Sequence, residues 1–323
     1  MDYGLSEQQE MLKKTSRDFL AAECPKNLVR QMVSDERGYP LELWQKMAQL
    51  GWMGLAFPEE YGGSGGSFLD LAVLLEEMGR ACLPGPFFST VIMAGMTILE
   101  IGNETQRHEL LPQIAEGKLI ITLALNEPDG GYDAGKVSVE AAADGDDYFV
   151  SGIKLLVPDV HVAGYIICVA KTANGVTLFI VDGRSKGISC TLLKTIAGDK
   201  QFEVVFDKVK IPKENILGKE VQGDVQLQEV LRKAAVAKCA EMVGGAQQVL
   251  EMTVDYVKER KQFGVPVGTF QAIQHHCANM ITDIDTSRFI TYQAAWKISQ
   301  GLPFAKDAAM AKAWVSDAYK RVT

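Results

Sequence analysis

The chain has 323 residues, of which 47% are hydrophobic and 23% charged. This is enough apolar material for two or three packed units, and it excludes disordered and fibrous proteins. The net charge of -8, from 33 Lys and Arg against 41 Asp and Glu, argues against a broad nucleic-acid-binding surface. An anionic ligand would therefore need local cations.

Cellular location is indicated by the cysteines and by the apolar stretches. The six cysteines are scattered without a CxxC pair, which is typical of buried thiols in a reducing compartment, so we expect a cytoplasmic protein. The N-terminus lacks the basic and apolar regions of a signal peptide. The longest uncharged stretch, 82–99, is broken near its start by Pro84 and Pro86, so it predicts a buried helix and no membrane span.

Residues 1–118 have the periodicity of a helical domain. Ser6 and Gln9 have the spacing of a capping box ahead of the first apolar run. Pro40 is expected to open a second helix, and Phe68 begins a third run whose apolar residues share one helix face. Short turns between these runs favour a bundle.

Residues 119–224 have the texture of a β domain. Short β-rich segments alternate with turn clusters such as 144–147, and no helical pattern separates them. We therefore expect a barrel-like middle domain of mainly antiparallel strands. The predicted strands are 120–125, 137–141, 148–151, 165–169, 176–181 and 202–206.

Residues 225–323 return to helices, which are longer. One helix is predicted from about 224 to 259, with a stretch of small residues that permits close backbone approach, and another from about 271 to 299. The final helical pattern reaches Thr323 without a stop signal, so we expect the chain to continue in the intact protein. The fold class predicted is α+β and multidomain, in the order helices, strands, helices.

The segment between the two long helices carries the strongest functional signal. Arg260, Phe263 and Gly264 are followed by Phe270 and Gln271, which places a cation, aromatic rings and an amide within a helix-loop-helix. Such a set suits a large, flat, anionic cofactor, because an Arg fork donates two parallel hydrogen bonds to a pyrophosphate. The segment resembles the signature of the FAD-dependent acyl-CoA dehydrogenase family, Arg-x-x-Phe-Gly with Gln eleven residues after the Arg. The resemblance extends along nearly the whole chain.

Two further blocks carry the same resemblance. The family block Thr-Glu-Pro-x-x-Gly-Ser-Asp reads here with Asn126 in place of Thr and Tyr132 in place of Ser. The block Gly-x-Lys-x-Trp-Ile-Thr-Asn reads with Leu156 in place of Trp and Pro158 in place of Thr. The resemblance implies FAD contacts from eight residues: Leu125, Asn126, Val157, Pro158, Arg260, Gln262, Phe263 and Gln271. It implies substrate contacts from Tyr132 and Phe88.

The catalytic base is the feature in which the chain departs most from the family. The resemblance implies a Glu that abstracts the α-proton of an acyl-CoA while the β-hydrogen passes to flavin, and one family position for that Glu is Ala234 here. The other would lie beyond Thr323. Glu241 is a substitute candidate, two helical turns from Ala234 and on roughly the same face. The structural alternative is a helix Glu paired with a neighbouring basic residue.

Three hypotheses for function remain open at this point. The first is an acyl-CoA dehydrogenase, an oxidoreductase acting on CH–CH bonds, that passes electrons to an electron-transferring flavoprotein. The second is a flavin-binding, non-catalytic subunit of a heteromer, and the third is a helical scaffold without cofactor. The resemblance implies an oligomer, either a homo-dimer, a homo-tetramer or a heteromer. We expect no metal site, because His275 and His276 are adjacent and point about 100° apart on a helix.

Overall fold

The computed structural model describes residues 4–129, 137–220 and 223–323. These residues pack into two compact units, each built from segments that are distant in sequence. The first unit contains residues 4–29, 67–83 and 232–323, and the second contains the described parts of 30–66 and 84–231. The order of helices, strands and helices along the chain is confirmed. The boundaries of the three sequence domains stay a prediction.

The helices follow the chain in this order: α1 (Glu7–Glu23), α2 (Lys26–Ser34), α3 (Leu41–Gln49), α4 (Phe68–Ala81), a π-helix (Phe88–Gly95), α5 (Met96–Ile101), α6 (Glu104–Ala115), α7 (Gly223–Glu259), α8 (Gln271–Ser299) and α9 (Ala305–Val322). The strands are β1 (Ile121–Ala124), β2 (Glu140–Asp144), β3 (Asp147–Pro158), β4 (Tyr165–Thr172), β5 (Gly175–Asp182), β6 (Ile188–Leu193), β7 (Gln201–Pro212), β8 (Lys261–Gln262) and β9 (Val265–Pro266).

Local capping signals begin the helices where the sequence predicts them. Ser6 Oγ accepts a hydrogen bond from the Gln9 amide at 3.2 Å, and Gln9 Oε1 accepts one from the Ser6 amide at 3.0 Å. This reciprocal pair satisfies two of the backbone donors left open at the start of α1. Pro40 precedes α3, as expected for a residue that lacks an amide donor.

The first unit contains a close crossing of α4 and α7. A Cβ added to Gly79 would lie 1.9 Å from the carbonyl oxygen of Glu241, and one added to Gly244 would lie 1.7 Å from that of Glu76. Neither separation is compatible with a side chain, so the two backbones are in contact here. The small-residue stretch predicted in α7 therefore does permit close backbone approach.

A buried carboxylate joins three helices of the first unit. Glu76 of α4 accepts hydrogen bonds from Lys13 Nζ of α1 at 2.9 Å and from Tyr292 Oη of α8 at 2.7 Å. Arg288 Nε of α8 lies 3.3 Å from the same carboxylate. Burial acts to raise the pKa of Glu76, but Arg288 and Lys13 outweigh burial and hold the pKa below its ordinary value. The cluster is therefore a network of ion pairs and hydrogen bonds that links these three helices.

The second unit contains a seven-stranded sheet in the order β1-β4-β2-β3-β7-β6, with β5 paired to β4. Four pairings are antiparallel, which confirms the main expectation. Two are parallel, because β4 pairs with β1 and also meets β2 at Glu140 and Lys171. The edge strand β6 was not predicted, since it is mostly exposed and lacks an alternating apolar pattern.

The uncharged stretch 82–99 is helical from Phe88 onward, and this helical part belongs to the second unit. Ser89, Thr90, Val91 and Ile92 of the π-helix are buried. Within the described residues, no helix has the length and apolar character needed to cross a membrane. All six cysteines are free thiols.

Candidate functional site

A fully buried lysine ties together two strand ends of the second unit. The side chain of Lys154 in β3 has 0% exposure, and its Nζ donates to the Leu125 carbonyl at 3.1 Å and to Glu127 Oε1 at 2.7 Å. A buried charge is tolerated only when it is paired and hydrogen-bonded. Lys154 therefore fixes the segment that follows β1 against β3.

The carboxylate of Glu127, the partner of Lys154, also accepts hydrogen bonds from Ser138 and Val139. Its carboxylate accepts from the Ser138 amide at 2.7 Å, from the Ser138 hydroxyl, and from the Val139 amide at 3.1 Å. Burial acts to raise the pKa of Glu127, but the bonds from Lys154 and Ser138 outweigh it and hold the pKa below its ordinary value. Glu127 thus remains an anion that organises the strand end.

We call the buried ion pair of Lys154 and Glu127 the clamp. The four candidate flavin contacts of this unit lie at the strand ends next to it. We call Leu125, Asn126, Val157 and Pro158 the strand-end site. The Asn126 carbonyl accepts from the Leu155 amide at 2.8 Å, and the Pro158 carbonyl accepts from Thr122 Oγ1 at 2.7 Å. Val157 has a buried side chain, so only its backbone could face a ligand.

The backbone of β3 is strained beside this site. Its register against β7 shifts between Lys154 and Val157, and Leu156 in the shift has a φ of +52°. A bulky residue rarely adopts such a conformation, and strained residues cluster where a ligand is bound. The Leu156 side chain is 49% exposed, which presents an apolar surface at the position where the related family has Trp.

The two predicted substrate contacts differ in what can be said of them. Phe88 is the first residue of the π-helix and is partly buried. Irregular helix turns of this kind are frequent at functional sites. Tyr132 lies outside the described residues.

The other four candidate contacts lie in the first unit, around a hairpin that the sequence did not predict. We call Arg260, Gln262, Phe263 and Gln271 the hairpin site. Strands β8 and β9 pair across Phe263 and Gly264, which have φ values of +54° and +82°. A two-residue hairpin turn in which both residues have positive φ usually carries Asn-Gly. A Phe at the first position is therefore conformationally unfavourable.

The hairpin site is strongly exposed. The Phe263 side chain is 93% exposed, and its ring contacts Phe270 edge to face at a centroid distance of 6.2 Å. Arg260 is exposed after the end of α7, and within the described residues no carboxylate pairs with it. Gln271 is the first residue of α8 and is also exposed.

The chemistry of these donors fits FAD. An unpaired guanidinium can donate two parallel hydrogen bonds to a pyrophosphate, and two exposed rings can stack on an aromatic base. The strand-end site offers backbone groups at fixed positions, which is what the edge of a flavin ring requires. Side-chain hydroxyl donors are absent at Asn126 and Pro158, so contacts to the ring would be made by backbone and by the Asn126 amide.

Glu241, the candidate base, lies in the middle of α7 within the first unit. Its carboxylate forms an ion pair with Lys238, one turn earlier on the same helix. Burial raises the pKa of Glu241, and the attraction of Lys238 only partly opposes this. Ala234, on the same helix, is buried. Glu241 therefore has both a raised pKa and a basic neighbour.

Sequence reasoning missed the role of Lys154. The available signal was a single Lys between apolar residues of a predicted strand region, but its partner Glu127 lies 27 residues away.

Comparison with known proteins covers nearly the entire chain. Three family profiles match, described as the N-terminal domain (6–118), middle domain (122–209) and C-terminal domain (222–323) of acyl-CoA dehydrogenase. The acryloyl-CoA reductase (NADH) of Anaerotignum propionicum is 33% identical over 100% of this chain and 84% of its own length.

Solved structures agree with these matches. Butyryl-CoA dehydrogenase from Megasphaera elsdenii has a TM-score of 0.90 and 31% identity, covering 100% of this chain and 87% of that chain. A chain from a structure described as the electron transferring flavoprotein of Acidaminococcus fermentans has a TM-score of 0.90 and 30% identity, covering 98% of this chain and 86% of that one.

Proposed function

Because the chain belongs to the acyl-CoA dehydrogenase family, we propose that it catalyses the FAD-dependent α,β-dehydrogenation of an acyl-CoA thioester and passes the electrons to an electron-transferring flavoprotein. Its family consists of oxidoreductases that act on CH–CH bonds and use FAD. A reductase among the relatives means that both directions of the reaction should be assayed.

The observation that carries the proposal is the buried Lys154–Glu127 clamp. A cation with 0% exposure, bonded to a carboxylate and a carbonyl, holds the strand end that contains Leu125 and Asn126. Rigid support of this kind is what a binding site needs to keep hydrogen-bonding groups at fixed positions. When bound, FAD would supply the two-electron acceptor of the reaction.

Glu241 is our proposed base. A carboxylate abstracts a weakly acidic α-proton better when burial raises its pKa, and burial does raise that of Glu241. The Glu241 carboxylate would take the α-proton after separating from Lys238. Its ion pair with Lys238 is also the observation that favours the second candidate function, a flavin-binding subunit that has no base of its own.

The hairpin site supports an oligomeric assembly. Phe263 and Tyr256 are 93% and 61% exposed, and Val265 beside them is also exposed, which gives an apolar surface of the kind that marks a protein contact. We propose that Arg260, Gln262, Phe263 and Gln271 reach FAD held mainly by a neighbouring copy, in a homo-dimer or homo-tetramer. The free thiols support a cytoplasmic location for the assembly.

The test of the base is a comparison of two variants of α7. Glu241→Gln should reduce turnover of acyl-CoA by about 10²–10⁴-fold, because general-base catalysis contributes that much, while retaining bound flavin. Asp255→Asn, an exposed acid on the same helix, is the matched control and should retain full turnover. Enoyl-CoA formation with an artificial electron acceptor measures both. Unchanged turnover in Glu241→Gln would remove Glu241 as the base.

A flavin-binding chain without any turnover would favour the second candidate function. That outcome requires FAD absorbance bands in the purified protein together with no enoyl-CoA product from short, medium or long acyl-CoA substrates. Activity regained on mixing with a partner chain would then establish the heteromer.

A further inference from the structure

Two neighbouring residues of α4 contact α7 at three points along one face of that helix. A Cβ on Gly79 would lie 1.9 Å from the carbonyl oxygen of Glu241, and one on Gly244 would lie 2.9 Å from the Arg80 amide nitrogen. The side chain of Arg80 reaches further along α7, to Glu251. Positions 241, 244 and 251 follow one another at steps of one and two helical turns, so they share one helix face.

The contact between Arg80 and Glu251 is a bidentate ion pair. Arg80 Nη1 donates to Glu251 Oε1 at 2.8 Å, and Nη2 donates to Oε2. Gln247, one turn earlier in α7, donates from Nε2 to the same Oε1 at 3.0 Å, and its own Oε1 accepts from Arg288 Nη2 of α8 at 2.9 Å. Arg288 also pairs with Glu76 of α4. The bonds therefore form a continuous chain from α4 through α7 and α8 back to α4.

The glycine contacts bring the two backbones together but give the rotation of α7 about its own axis little definition. At Gly79 and Gly244 no side chain fits between residues of the facing helix, and such fitting is what normally orients two packed helices. Hydrogen bonds depend on angle as well as on distance. A bidentate Arg–carboxylate pair therefore supplies a directional contact that the glycines lack.

The rotation of α7 decides where the Glu241 carboxylate points. A side-chain end lies about 5–6 Å from the axis of its helix, so a rotation of about 10° moves it by about 1 Å. A displacement of about 1 Å between reacting groups can lower a rate by about 10²-fold. The Glu241 backbone lies against Gly79, the residue before Arg80, so the ion pair acts close to the proposed base.

We propose that Arg80 is a positioning residue for the proposed base: through its ion pair with Glu251 it fixes the rotation of α7 and so the direction of the Glu241 carboxylate. The inference rests on the proposed function, in which Glu241 takes the α-proton. Arg80 belongs to neither the strand-end site nor the hairpin site. Its loss should therefore slow the chemical step while FAD stays bound.

The first experiment is a double-mutant cycle in kcat for enoyl-CoA formation. Arg80→Met and Glu251→Met should each lower kcat by about 10- to 10²-fold with KM within about twofold, because the position of the base matters in the transition state. The double variant should be no slower than the slower single variant, since both changes remove the same ion pair. Arg80→Lys keeps the charge but lacks the fork, so its kcat should lie between those of Arg80→Met and the unmodified protein.

Arg321→Met is the matched control. Arg321 forms a bidentate ion pair with Asp283 that joins α9 to α8 in the same unit. It should keep the kcat of the unmodified protein, and its melting temperature shows how far the loss of one ion pair destabilises this unit. An unchanged kcat in Arg80→Met, while Glu241→Gln lowers turnover, would overturn the proposal. Losses in log kcat that add in the double variant would overturn it too.

The second experiment needs no substrate and so separates this proposal from the proposed function. Amide hydrogen exchange reports local opening of a helix. Residues 238–247 of α7 should exchange roughly tenfold faster in Arg80→Met than in the unmodified protein, and at the unmodified rate in Arg321→Met. Equal exchange in this segment would contradict the positioning role even if Glu241 is the base. Failure of the proposed function shows in a different variant, as full turnover in Glu241→Gln.

Discussion

The perturbation most directly linked to the structure of the strand-end site is Lys154→Met. Lys154 has 0% exposure and the side chain of its partner Glu127 is 7% exposed, so both charges are removed from water. Met fills a similar volume but leaves the carboxylate of Glu127 without its cation. Breaking a buried ion pair on one side costs about 3–5 kcal/mol, because an uncompensated charge remains in the core.

Replacing both partners should cost much less than the sum of the single changes. Glu127→Gln alone leaves Lys154 as an unpaired buried cation, and a similar loss of about 3–5 kcal/mol is expected. In the double variant Glu127→Gln/Lys154→Met no buried charge is left, and the amide oxygen of Gln still accepts from the Ser138 backbone. We therefore expect the double variant to recover at least about 2 kcal/mol relative to the sum of the two single losses.

Urea unfolding followed by far-UV circular dichroism provides the assay, with the free energy of unfolding obtained for all four proteins. Lys210→Met is the control: Lys210 pairs with Asp147 at 2.8 Å on the same sheet but is 62% exposed, so little change is expected. A loss below about 1 kcal/mol for Lys154→Met, or losses that simply add in the double variant, would refute the claim that Lys154 and Glu127 form a coupled, buried ion pair.

Three further predictions concern the first unit. Phe263→Asp should shift the mass measured by light scattering toward the single chain without changing the circular dichroism spectrum, because a charge replaces an exposed apolar contact; an unchanged mass would argue against the hairpin as an interface. Gly244→Ala should destabilise the protein by about 1–3 kcal/mol in urea unfolding, since its Cβ would lie 1.7 Å from the Glu76 carbonyl, whereas Gly245→Ala, whose nearest new contact is at 3.1 Å, should cost less. Folding lowers the pKa of Glu76, so its contribution to stability is present above the ordinary value of 4.5 and is lost as pH falls below it; Glu76→Gln should flatten this acid loss in a series of melting temperatures, and an equally steep loss would contradict the assignment.

Helix boundaries were predictable because their signals are local. The capping box at Ser6 and the helix start at Gln271 both depend on residues within one or two turns. The long helix predicted from 224 to 259 is observed as Gly223–Glu259 for the same reason. The small residues of α7 predicted a close helix contact around Gly244. They could not identify α4 as the partner helix, since that depends on packing between distant segments.

The sheet and the candidate sites were less predictable because they depend on distant pairing. The parallel pairing of β1 with β4 places Ile121 beside Tyr165. It was not predicted, because the sequence between the two strands carries no helical signal. The hairpin at Phe263 escaped prediction because a Phe-Gly pair is not the usual sequence for two residues of positive φ. The hydrogen bond that Ser89 donates to Asp159 joins residues 70 apart, which no local pattern reveals.

Anaerobic addition of acyl-CoA thioesters to the purified, FAD-loaded protein is the most direct single measurement of the proposed activity. The flavin absorbance should bleach with at least one saturated acyl-CoA, and the corresponding 2-enoyl-CoA should form in equal amount to the flavin reduced. Protein that retains its flavin spectrum unchanged with short, medium, long and branched acyl-CoA substrates, while remaining reducible by dithionite, would contradict the proposal that this chain carries out the dehydrogenation itself.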